Sequence, residues 1–110
     1  MHPLIRSALA SAIAGAVLAT ASGAFADGAK NHVVTIQDMR FEPRTIVAKK
    51  GDSITWVNKD IFPHTATAAR TFDSREIKPN AKWTYRATKA GEFAYTCTLH
   101  PNMQGTLKVE

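Results

Sequence analysis

At 110 residues the chain has room for one domain and not for two. A single cysteine, Cys97, excludes an intrachain disulfide. The formal net charge of +5 is carried by scattered Lys and Arg with no dense run, which argues against a nucleic-acid-binding arm. The surplus favours acidic protein partners or an anionic membrane surface instead.

Residues 1–26 read as a cleaved secretory leader. Arg6 is their only charged side chain, Ala8 to Ala21 is a run of small and apolar residues, and Ala24-Phe25-Ala26 precedes Asp27. A basic start, a short apolar stretch and an A-x-A site are the parts of a signal peptide. The apolar run, roughly 14 residues, is shorter than the ~20 of a spanning helix. Cleavage would export a domain over residues 27–110 to the periplasm, without stable membrane insertion. Its 13 basic and 9 acidic side chains leave it at +4. So small a domain has a small core, so something beyond hydrophobic burial is expected to help hold it. A lone cysteine in an oxidising compartment is buried and inert, paired between molecules, or bound to metal.

The rest alternates as strands do. Val34 and Ile36, Ile46 and Ala48, Ile54 and Trp56, Trp83 and Tyr85, Phe93 with Tyr95 and Cys97, and Leu107 and Val109 each recur at period two. Turn chemistry falls between them at Glu42-Pro43, Lys50-Gly51-Asp52, Lys78-Pro79-Asn80, Ala90-Gly91 and Gln104-Gly105. Residues 69–80 are the least strand-like and are expected to form a long connection. No sustained helical period follows the leader. The expected fold is all-β: a single, small Greek-key antiparallel β-sandwich.

The chemistry concentrates between the last two strands. Cys97, His100 and Met103 place a thiolate, an imidazole and a thioether at i, i+3 and i+6. Alternation turns Cys97 inward with Phe93 and Tyr95. His64 follows Phe62-Pro63, where the chain re-enters the sandwich after the Trp56 strand. Two imidazoles, a thiolate and a distant thioether form the ligand set of a blue-copper site, soft sulfur suiting Cu(I) and imidazole Cu(II). A structural zinc site would want four Cys or His ligands. His2 leaves with the leader, and His32 is read as a solvated surface histidine in a mobile lead-in.

The spacing Cys97-Thr98-Leu99-His100-Pro101-Asn102-Met103 resembles the short ligand loop of cupredoxins, within them the amicyanin and pseudoazurin-like branch. The stretch Gly51-Asp52-Ser53-Ile54-Thr55-Trp56-Val57-Asn58 leading to Pro63-His64 is similar to that family's strand before its first ligand. The resemblance covers roughly Phe41 to Glu110. It implies one type 1 copper ion held by His64, Cys97 and His100, with Met103 as the long axial ligand. It also implies a plastocyanin-like domain that carries electrons. His100 would be the port, within an apolar patch of Phe62, Pro63, Leu99 and Pro101.

Three positions depart from the family pattern. Thr65 stands where many cupredoxins have an Asn that ties its loop to the ligand loop; a threonine either still reaches Thr98 or leaves that tie unmade. Leu99 replaces a common Pro and adds a backbone N–H. Asn102 replaces a common Phe and makes the nearby surface more polar. Such changes tune a metal and leave its site in place.

The reading is therefore a periplasmic electron shuttle and not an enzyme. It is a monomer in transient contact with redox proteins, for which a c-type cytochrome, an amine dehydrogenase or a reductase is a candidate. The alternative is a periplasmic copper carrier or copper-tolerance protein on the same fold. A Cys97/His100 nucleophile pair lacks a third orienting group in the sequence. Lys59 and Lys78 are candidates for steering an acidic partner.

Overall fold

A computed structural model describes residues 28–110, so the expected leader lies outside the described residues. The strands are β1 (Asn31–Gln37), β2 (Arg40–Glu42), β3 (Thr45–Ala48), β4 (Ser53–Asn58), β5 (Thr67–Ala68), β6 (Phe72–Asp73), β7 (Lys82–Arg86), β8 (Gly91–Thr96) and β9 (Gln104–Val109). They form two facing sheets in the orders β2-β1-β4-β7 and β3-β9-β8-β5-β6. This is the expected small all-β sandwich. Among the described residues, no helix is long and apolar enough to cross a membrane.

Period-two alternation decides which side chains enter the core. Val34, Ile36, Ile54, Trp56 and Leu107 are fully buried, and Tyr95 nearly so. The centre is aromatic: Trp56 meets Tyr95 edge-on at 5.4 Å between centroids, and Phe72 lies tilted against Trp56 at the same distance. Phe41 packs edge-on against the other side of Tyr95 at 4.7 Å. Edge-to-face pairs set the positive ring edge against the negative face, which favours these geometries.

Pairing is not antiparallel throughout, as the alternation alone suggested. β1 runs parallel to β4, and β3 runs parallel to β9. The cause lies around Pro43, which has no N–H to give a ladder. There the chain bends at Pro43 and Arg44, leaves the first sheet at the end of β2 and enters the second as β3. β4 then returns beside β1, parallel to it. This crossing between sheets is the kind of connection a Greek key makes.

Two local expectations change. Gln104-Gly105 is not a turn but the start of β9, with Gly105 directly opposite Tyr95. A Cβ at Gly105 would fall onto the Tyr95 ring, so the glycine is there for close approach. The 69–80 segment contains β6, which pairs with β5 in a short hairpin.

His32 is not a solvated side chain in a mobile lead-in. It lies in β1, and its Nε2 is 2.9 Å from Asp52 Oδ2. Asp52 is buried in the turn between β3 and β4, where Gly51 takes φ +97°. Its carboxylate also accepts the N–H groups of Lys30 and Lys49 at 2.9 and 3.0 Å. One side chain thus fastens the start of β1 to the β3–β4 turn. At the opposite end of the sandwich, the ends of β1, β4 and β8 and the start of β9 gather the site loops.

Candidate metal centre

The loop after β8 is closed by its own backbone. His100 N–H donates to Cys97 O at 3.2 Å, Met103 N–H to His100 O at 2.9 Å, and Cys97 N–H to Met103 O at 3.1 Å. Two successive four-residue turns result, with Pro101 second in the latter, the position whose φ its ring pre-sets. This folding places Met103, which is buried, back beside Cys97.

His64 comes from the other side. It exchanges two backbone hydrogen bonds with Ile77, at 2.7 and 3.2 Å. Asn58 holds the preceding loop: its Nδ2 donates to Phe62 O and Ile77 O at 2.8 and 2.9 Å, and its Oδ1 accepts Asp60 N–H at 2.8 Å.

The two loops meet around one sulfur. Cys97 Sγ lies 3.7 Å from His64 Nδ1 and 3.7 Å from His100 Nδ1, and all three atoms fall within 4.8 Å of one another. His64 and Cys97 are fully buried and His100 is half-buried. An ion bonded at about 2.3 Å to sulfur and about 2.0 Å to nitrogen, as zinc is, would subtend S–metal–N angles of about 120° across these gaps. Both sulfur–nitrogen gaps therefore suit a metal ion bonded to the thiolate and to an imidazole. Two imidazoles and one thiolate favour copper over harder ions, and the buried Met103, held to Cys97 through its backbone, offers a thioether in the same loop.

Thr65 settles the tie between the loops. Its Oγ1 accepts the N–H of Thr98 at 2.9 Å and lies 3.2 Å from Thr98 Oγ1. Its own N–H points at Cys97 Sγ at 3.3 Å. Threonine thus makes the link, with the loops close enough for its shorter side chain.

Asp60 is the site residue that sequence reasoning missed. Its Oδ2 accepts from His64 Nε2 at 2.8 Å, on the ring edge opposite Cys97. Burial works against its charge, but the N–H groups of Met39, His64 and Asp38 outweigh it and hold the carboxyl below its ordinary range. The sequence signal was an acid four residues before the histidine, which has no meaning until the loop geometry is known.

The chain is similar to known copper proteins in sequence and in fold. A family model described as a cupredoxin-like domain matches residues 9–109. Amicyanin of Paracoccus denitrificans is 32% identical over 96 residues, covering 82% of this chain and 72% of that protein. The chloroplastic plastocyanin of Tetradesmus obliquus is 33% identical over 72 residues, covering 54% of this chain and 50% of that protein. A solved amicyanin variant in its Cu(I) form superposes with a TM-score of 0.69 at 34% identity, over 77% of this chain and 85% of that one. A copper-containing nitrite reductase from Thermus scotoductus, at 23% identity and a TM-score of 0.68, shares the fold over 22% of its own length and 73% of this chain. The chain belongs to the cupredoxin family, in its amicyanin branch, and is a type 1 copper electron-transfer protein.

Proposed function

We propose that this chain shuttles single electrons between partner proteins in the periplasm, through copper held by His64, Cys97, His100 and Met103. The observation that carries the ligand set is the convergence of two imidazole Nδ1 atoms on one thiolate at equal 3.7 Å separations. Bound copper supplies the one-electron couple between Cu(I) and Cu(II), which mixed sulfur and imidazole donors accommodate.

The chain's own residues supply the rest. His64 and Cys97 are sealed from water, and their loops are pinned by backbone bonds and by Thr65. The donors therefore keep their places when the charge changes. His100 is the half-buried donor, and the surface around it is apolar. Ile61, Phe62 and Leu99 are exposed there, with the Phe62 ring 6.3 Å from the His100 ring. A small apolar face suits contacts that must dissociate after each transfer.

Lys59 directly follows β4 and Lys78 follows Ile77, so both exposed lysines lie on the copper end, where they would steer an acidic partner. A c-type cytochrome, an amine dehydrogenase or a reductase fits such a face. Export to the periplasm rests on the leader expected over residues 1–26. The role is transport of electrons, with no bond-making step.

Electron self-exchange and copper-release rates of the loaded protein test the reading. Fast exchange with retained copper is expected. Fast release with slow exchange would make the metal cargo and the protein a carrier.

A further inference from the structure

The loop between β4 and His64 contains a carboxylate that bonds to the buried histidine and to a turn in a different part of the chain. Asp60 Oδ2 lies 2.8 Å from His64 Nε2 and also accepts the N–H of Met39 at 3.0 Å. Its Oδ1 accepts the N–H of Asp38 at 3.1 Å. Asp38 and Met39 form the two-residue turn between β1 and β2, with φ of 53° and 59°. The carboxylate is thus fixed from outside the metal loop, and the imidazole must fit it.

We propose that Asp60 is a positioning residue for the copper site: it holds His64 in the tautomer that leaves Nδ1 free for metal and sets a negative charge behind that ligand. The inference rests on the ligand set proposed above. A neutral imidazole has one N–H and one bare nitrogen, and an ionised carboxylate only accepts. The proton therefore sits on Nε2, and the Nδ1 lone pair faces Cys97 Sγ. His64 is fully buried, so no water competes for Nε2–H and a flipped ring would leave the carboxylate unmatched.

The charge has a second effect. A carboxylate bonded to a metal-ligating imidazole raises the ring's basicity as a donor. A stronger donor favours Cu(II) over Cu(I), which lowers the reduction potential. Asp60→Asn keeps the shape and an oxygen for His64 but removes the charge, and gives up the Asp38 bond.

The test is voltammetry of copper-loaded wild type and Asp60→Asn, with 15N NMR of His64 in metal-free wild type. The tautomer measurement needs no variant to fold. Metal-free wild type is expected to show one tautomer, protonated at Nε2. Asp60→Asn is expected to shift the ratio of Cu(II) to Cu(I) affinity on the order of tenfold toward Cu(I), a rise of about 59 mV for one electron. A group that only braced the β1–β2 turn would change stability and leave the potential unmoved. An unchanged potential in Asp60→Asn, or an Nδ1–H tautomer in wild type, overturns the proposal. Absence of a thiolate-to-copper band in loaded wild type would overturn the ligand set instead, and the metal-free NMR would still read the hold of Asp60 on His64.

Discussion

Thr65 Oγ1 accepts the backbone N–H of Thr98 at 2.9 Å, joining the loop that carries His64 to the loop that carries Cys97. The two residues are 33 positions apart, and this hydroxyl sits between them where many cupredoxins have a longer amide. Thr65→Val keeps the shape and removes the acceptor. A loss of about 1 kcal/mol is expected from the hydrogen bond, with Thr65→Ser close to wild type. Urea midpoints of the metal-free proteins check this, and equal midpoints for Val and wild type would show the bond contributes nothing.

Asp52 makes the fold acid-sensitive. The His32 side chain, then the N–H groups of Lys30 and Lys49, hold its carboxyl well below the ordinary range despite burial. A carboxylate with a depressed folded pKa stabilises fully above its unfolded value, about 3.9. That contribution is lost as pH falls through the lower folded value. Asp52→Asn should therefore be clearly less stable than wild type near neutrality, with the gap closing in strong acid. Denaturation midpoints at pH 7 and below pH 3 measure the gap; a gap independent of pH would contradict the assignment.

Gly105 faces the Tyr95 ring so closely that a methyl group cannot enter without moving it. Tyr95 is 1% exposed and wedged between Trp56 and Phe41, so the ring has nowhere to go. Overpacking of this kind costs about 1–3 kcal/mol. Gly105→Ala should lower the thermal midpoint accordingly, and an unchanged midpoint would mean that the ring relaxes freely.

Met39 adopts φ 59° in the β1–β2 turn, a region that favours glycine. Left-handed backbone costs an ordinary residue roughly 1–2 kcal/mol, partly offset by the greater unfolded entropy of glycine. Met39→Gly is expected to stabilise by up to about 1 kcal/mol, because the N–H that Asp60 accepts is retained. A chemical denaturation curve with a lower midpoint would show that the Met39 side chain contributes more than its backbone strain removes.

Legibility in the sequence followed the length scale of each feature. Val34 with Ile36 and Ile54 with Trp56 announced their strands because their alternation lasts long enough to count. β2, β5 and β6 hold two or three residues each, too few for any period to emerge. Gln104-Gly105 looked like a turn because glycine commonly punctuates chains; its actual cause, the ring of Tyr95, sits ten residues away. The cluster of Cys97, His100 and Met103 was legible because one short loop carries all three. Asp60 bonded to Met39, and His32 bonded to Asp52, were not, since sheet register alone brings those segments together. The parallel course of β1 and β4 was hidden for the same reason: alternation reports which face is buried and not which way a neighbour runs.

The most direct test of the central claim is the visible spectrum of the copper-loaded protein, recorded for wild type and Cys97→Ala. An intense thiolate-to-copper band is expected in the Cu(II) wild type and is expected to disappear in Cys97→Ala. A loaded wild type without that band, or a Cys97→Ala protein that keeps it, would contradict the assignment of Cys97 as the central ligand.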